Sequence, residues 1–213
     1  MSLKSAQTIA LLAAMIMTGL TAGVFGLYAH TIMPGLGKTD DRTFVGSFQA
    51  IDRAIINPLF MLTFFGALVV SIAAVLLHLG GGARKVLPWI LAATVLYLVG
   101  VIATMAINVP LNDAIKAAGN PDQIPDLAAV RANFHETRWV AWNIVRTITT
   151  TVAFVCLGWA LVLHGRSNID GPKAAERGHL EQYSVALDGP GPHSVRPTMT
   201  RDQLPAQGSS SRP

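Results

Sequence analysis

The stretch His135-Glu136-Thr137-Arg138-Trp139-Val140-Ala141-Trp142-Asn143-Ile144-Val145-Arg146-Thr147 is the one most able to do chemistry. Read as helix, it puts His135, Trp139, Asn143, Arg146 and Thr150 on one face. Arg146 then lies about 10 Å deeper than Trp139 at 1.5 Å per residue. An arginine inside a membrane costs at least about 2.5–3.5 kcal/mol on insertion scales, so it faces a bundle interior and meets a carboxylate, carbonyls or a ligand. A polar cavity is the expected outcome. The competing readings are snorkelling to the headgroups and a structural pair with Asp41, Asp52 or Glu136. Trp139 and Trp142 also fit an aromatic belt at the interface.

Other polar groups fall near this one in the chain order of the loops. Gln49 and Asp52 sit three apart on a short amphipathic segment whose apolar stripe is Phe44, Phe48, Ile51 and Ile55. Asp40 or Asp41 is placed to cap that segment. Asn57-Pro58 opens the next apolar run, with proline in the first turn. Asn108-Val109-Pro110-Leu111-Asn112 closes another. It reads either as a helix stop with a capping amide or as two amides facing a cavity.

The histidines form two sets. His30 and His135 lie toward the loops, His78 and His164 toward the opposite membrane face. Such pairs suit haem iron or copper, and His30 with His135 and a loop carboxylate suits a mononuclear metal site of copper or iron. Position alone supports these readings, so no metal or haem is expected, and His30 and His135 stay as the weak candidates. The lone Cys156 excludes an intramolecular disulfide, a CxxC redox pair and a cysteine-rich metal site.

The elements that must position these groups are membrane helices. The 213 residues are 51% apolar and 13% charged, with a mean hydropathy of +0.45. Soluble domains carry about 25% charged residues, so an ordinary soluble domain is excluded. Ser5–Gly37, Ala54–Ala83 and Val86–Asn112 contain no charged residue, and Trp139–Gly165 contains only Arg146. A span needs roughly 20 apolar residues. Spans are therefore expected near 7–31, 57–79, 87–108 and 139–163. The first apolar run is too long for a cleaved signal segment. The pI near 9.6 reflects scattered basic residues, and no nucleic acid partner is expected.

The expected fold class is all-α: a four-transmembrane-helix bundle over 1–165, with short amphipathic helices in the two extracytoplasmic loops and a disordered C-terminal tail over 166–213. The tail is rich in Pro, Gly and Ser. An even span count puts both termini on one side. The Lys/Arg counts tie, and the tight turn Gly80–Lys85, with Arg84 and Lys85, places that side in the cytoplasm. The localisation expected is a bacterial-type inner or plasma membrane. All seven acids of the first 165 residues lie in loops 33–55 and 109–138, on one face of the membrane.

The ordered set Met33-Pro34-Gly35-Leu36, Phe44-Val45, Gln49, Asn57-Pro58 with Phe60, Asn108-Val109-Pro110-Leu111-Asn112, Trp139, Trp142-Asn143 and Arg146-Thr147 resembles the anthrone oxygenase-like family of small four-span membrane proteins. The resemblance covers roughly residues 8–164. It implies an oxygenase or oxidase of the kind found in secondary metabolism, a monooxygenase acting on a lipophilic, often aromatic, substrate without an obvious cofactor. Under that reading dioxygen is the co-substrate, and His135 or Asp52 removes a proton from an anthrone-like carbon acid. Arg146 and the amides of Asn143, Asn108 and Asn57 hold the enolate. Trp139 stacks on the substrate, and Gln49 and Asn112 complete the binding set. The expected partners are a lipophilic small molecule and the lipid bilayer, with a homo-oligomer left open. The alternative is a non-catalytic lipophile- or quinone-binding protein or complex subunit. A metal- or haem-dependent membrane oxidoreductase is a lesser one.

Overall fold

The computed structural model describes residues 2–80 and 85–187. The described residues are helical throughout, with no strand among them. Helix α1 spans Leu3–Leu27, and a π-turn over Tyr28–Ile32 joins it to the short α2, Met33–Leu36. Helix α3 is Asp41–Ile55, and α4 is Pro58–Leu77. Helix α5, Leu87–Ala103, passes through a second π-turn, Thr104–Asn108, into α6, Val109–Ala117. A 3-10 turn at Pro121–Gln123 leads to α7, Leu127–Asn133, and α8 runs over Glu136–Leu187. Four stretches are long and apolar enough to cross a membrane: Leu3–Leu36, Pro58–Leu77, Leu87–Ala117 and Leu127–Ser167. That is the pattern of an integral membrane protein.

The first and third spans, expected to end near 31 and 108, run on through Pro34 and Pro110 to Leu36 and Ala117. Each proline follows a π-turn, in which Met33 N–H bonds to Tyr28 O and Val109 N–H to Thr104 O. The wider turn absorbs the missing proline donor and lets the next segment start with proline in its first turn. The chain divides into two units, Met1–Asn168 and one beginning at Ile169. Helix α8 is described as far as Leu187, past position 166 where the tail is expected to begin. The remainder of that tail, 188–213, and residues 81–84 of the turn used for orientation lie outside the described residues.

Small side chains hold the end of the bundle away from the loops. Ala14, Ala67, Ala74, Ala93, Ala153 and Ala160 pack with Leu11, Ile90 and Leu157. In lipid no hydrophobic force pulls helices together, so small residues that allow close approach supply the packing. Gly100 of α5 is one such close point against α8. A Cβ added there meets Thr150 Cγ2 at 3.1 Å and Thr149 Oγ1 at 3.4 Å, whereas one at Gly23 meets nothing within 4 Å. Gly100→Val is expected to cost about 1–3 kcal/mol by overpacking. The thermal midpoint in detergent falls accordingly, and Gly23→Val leaves it unchanged. Equal midpoints would show that α5 and α8 are not held at this contact.

The loop end is packed with larger groups: Tyr28, Met33, Phe44, Phe48, Ile115, Phe134 and Trp139. Asp40, not Asp41, caps α3 by accepting from Thr43 N–H at 2.9 Å, and the Thr43 hydroxyl and N–H lower its carboxyl pKa. The buried stripe of α3 is as expected, with Phe44 and Phe48 fully covered. Arg131 of α7 ties the loops to α8. It donates to Thr39 O, Asp41 and Glu136, and its guanidinium lies 4.2 Å from the Phe44 ring centre. Asp41 and Glu136 are thus partners of Arg131, not of Arg146.

Candidate functional site

A cavity of about 310 Å3 opens at the loop end, between α1, α3, α4, the α5–α6 π-turn and α8. That is the small end of the range for ligand pockets, about 300–1,000 Å3. Its walls are mostly apolar and aromatic, including Phe25, Phe48, Phe60, Phe64 and Trp139. Its polar groups are few and form two clusters.

The first cluster is built on Arg146, which is 5% exposed. Its Nε donates to Asn143 Oδ1 at 2.9 Å, and Asn143 Nδ2 donates to Phe25 O at 3.1 Å. A third contact runs from Nη1 to Thr104 Oγ1 at 3.4 Å. The guanidinium carbon lies 4.2 Å from the Phe25 ring centre and 5.1 Å from that of Trp139. These contacts fix its direction into the cavity. Among the described residues no carboxylate forms an ion pair with it. The structural pair with Asp41, Asp52 or Glu136 is not formed.

The second cluster is a chain of donors and acceptors. Trp139 Nε1 donates to Asn112 Oδ1 at 2.6 Å, and Asn112 Nδ2 donates to Asp52 Oδ1 at 2.6 Å. The indole is a donor only, so it fixes which way the amide points. Lys116 Nζ stands 2.8 Å from Asp52 Oδ2 and 3.1 Å from Asp113. Asp52 is 4% exposed and is the buried carboxylate of the cavity.

The cavity therefore gathers Arg146, Asp52, Trp139 and Asn112 of the expected residues. Asn143 is buried behind Arg146 and orients it without lining the cavity. Asn108 is likewise behind the wall, donating to Trp139 O at 3.1 Å, with its Oδ1 unpaired. Three expected residues are used elsewhere. Gln49 is fully buried and clamps α3 to α6, donating to Ile115 O and Gly119 O and accepting from Arg53. Asn57 is an exposed cap that accepts from Phe60 N–H at 3.0 Å. His135 is exposed, in a shallow surface depression with Glu136 and Arg138. Its φ of +51° makes it the hinge between α7 and α8, not a residue of the α8 face.

Sequence reasoning missed Tyr28, Thr104 and Lys116, all of which line the cavity. The spacing Asn108, Asn112, Lys116 at every fourth residue was the available sign for the lysine. Nothing in the chain marked Tyr28. Of the metal candidates, His30 is exposed and its Nδ1 faces Thr31 Oγ1 at 2.6 Å. At the other end of the bundle His78 and His164 face each other, Nε2 to Nδ1 at 3.4 Å. Among the described residues no three His, Cys, Asp or Glu side chains are grouped as a ligand set.

A cavity with aromatic walls, a buried guanidinium free of any ion pair among the described residues and one buried carboxylate is suited to a flat apolar ligand that bears or acquires a negative charge. The comparison with protein families agrees with the motif-based expectation. Residues 60–156 match the anthrone oxygenase family model. The match runs from the first turn of α4 into α8, so it contains Asn112, Trp139, Asn143 and Arg146. Tyr28 and Asp52 precede it. It is narrower than the stretch 8–164 over which the resemblance was read. No curated protein and no solved structure matches this chain.

Proposed function

We propose that this protein is a membrane-embedded oxygenase that converts a lipophilic, aromatic, anthrone-like carbon acid to the corresponding ketone with dioxygen. The observation that carries the reading is a buried Arg146, without an ion pair among the described residues, in an aromatic cavity that also holds the Asp52 carboxylate. The anthrone oxygenase match over 60–156 supports the same chemistry.

In the proposed reaction Asp52 accepts a proton from the activated methylene carbon. The enolate oxygen that forms is held by the Arg146 guanidinium, and the ring system lies against Trp139 and the phenylalanines. Dioxygen adds to the electron-rich carbon, forming a carbon–oxygen bond and a peroxide anion, which takes up a proton. Loss of the second methylene proton breaks the oxygen–oxygen bond. One oxygen atom stays as the new carbonyl and the other leaves as water. Substrate and dioxygen supply all the electrons, so the balance closes without a further reductant, and no cofactor is invoked. With both termini cytoplasmic, the cavity faces the extracytoplasmic side.

The test is turnover of anthrone by membranes holding the protein, under isotopically labelled dioxygen and compared with membranes lacking it. One labelled atom in the quinone carbonyl and one in water, at a protein-dependent rate, is the expected result. Binding without incorporation would instead make the protein a lipophile-binding one. His135→Ala is expected to keep the rate within about twofold, as an exposed substitution away from the cavity. A rate that collapses in that variant would return the base role to His135.

A further inference from the structure

The cavity wall is not closed on the side of the lipid-facing surface. Three of its lining residues, Ile56, Phe65 and Met105, are 57%, 45% and 49% exposed, while Asp52 and Arg146 at the back are 4% and 5% exposed. Phe65 lies seven residues past Pro58, about 10 Å along α4 at 1.5 Å per residue. Met105 belongs to the charge-free run that ends at Asn112. Around them the outer surface is Leu62, Val69 and Ile102, all more than half exposed and apolar. In a membrane such a surface faces acyl chains. The opening is a slot between α4 and the π-turn of α5, and that turn is the place where the helix is locally widened.

The other end of the cavity is different. There Lys116 bridges Asp52 at 2.8 Å and Asp113 at 3.1 Å, and the Asp113 side chain is 62% exposed. A lipophile passing that bar must break the Lys116–Asp52 pair and strip water from Lys116 and Asp113, whereas passage through the slot exchanges one apolar surrounding for another.

We infer that the cavity is loaded sideways from the hydrocarbon of the bilayer, through the slot rimmed by Ile56, Phe65 and Met105. The occupant is a neutral, flat, lipophilic carbon acid or phenol that ionises only after it reaches Arg146. The inference rests on the reading that the cavity holds a lipophilic ligand, and not on turnover.

The test is stopped-flow loading of anthrone under nitrogen into liposomes holding the protein, read by quenching of tryptophan fluorescence. Without dioxygen only binding is seen. The variant with Trp89, Trp142 and Trp159 replaced by phenylalanine leaves Trp139, which lines the cavity, as the reporter. Met105→Phe is expected to slow loading about tenfold, an added barrier of about 1.4 kcal/mol. Phe65→Ala is expected to speed it. A rate indifferent to both substitutions overturns the lateral route and leaves binding intact. Absence of quenching at saturation overturns the binding reading and the route together.

Discussion

Arg146→Met lowers the rate of anthrone-dependent oxygen uptake about 100- to 1,000-fold, the usual effect of removing one preorganised oxyanion donor. Its thermal midpoint in detergent holds or rises. Two opposing effects decide the second statement. Losing the guanidinium leaves Asn143 Oδ1 without its donor, a cost of about 1–3 kcal/mol for a buried acceptor. The same change removes a charge whose insertion costs at least about 2.5–3.5 kcal/mol and which forms no ion pair among the described residues. A purely structural Arg146 gives the reverse pattern, with midpoint and activity falling together. Arg146→Lys is not a rescue. An ammonium has no planar face to lie over Phe25 at 4.2 Å while keeping the bond to Asn143. Rates and midpoints measured on the same preparations decide between the two roles.

Asp52→Asn is expected to slow turnover about 100- to 10,000-fold, the range for a positioned general base, with anthrone binding retained. The amide still accepts from Asn112 through its oxygen. Its Nδ2 then faces the Lys116 ammonium donor to donor, so Lys116 is left to Asp113 at 3.1 Å. The two variants differ in how they respond to pH. Raising the pH until the carbon acid ionises by itself restores turnover in Asp52→Asn, because the missing step is proton removal. It does not restore Arg146→Met, because the anion still lacks its partner. Rescue of both, or of neither, would separate these residues from the roles proposed for them.

The architecture was legible because charge-free runs of span length have one physical solution in a bilayer. The breaks within the long helices were harder. Pro34 and Pro110 are stop signals in isolation, and only the π-turns before them turn each into the start of a continuing segment. The site was legible where helical periodicity holds without interruption. Trp139, Asn143 and Arg146 all lie inside α8, and their shared face is real. Extending that face backwards to His135 fails, because helical geometry begins at Glu136 and the left-handed residue before it turns the imidazole away. The amides show another limit. Gln49, Asn57 and Asn108 each had the chemistry to bind a ligand, but nearby backbone groups claimed them first. Which carbonyl needs a donor is set by how loops fold over one another, and no spacing records it. Asp52 reached the cavity because its own partners, Asn112 and Lys116, come from the facing helix.

The Arg146 guanidinium at the back of the cavity also sets what leaves it. On the proposed reaction the substrate arrives neutral, becomes an anion beside Arg146, and ends as a neutral quinone. Only the middle species engages the guanidinium as a charge. The product therefore departs from a site that no longer prefers it over the surrounding lipid. Accumulated quinone is a weak inhibitor, and a stable enolate or phenolate of the same shape is a strong one.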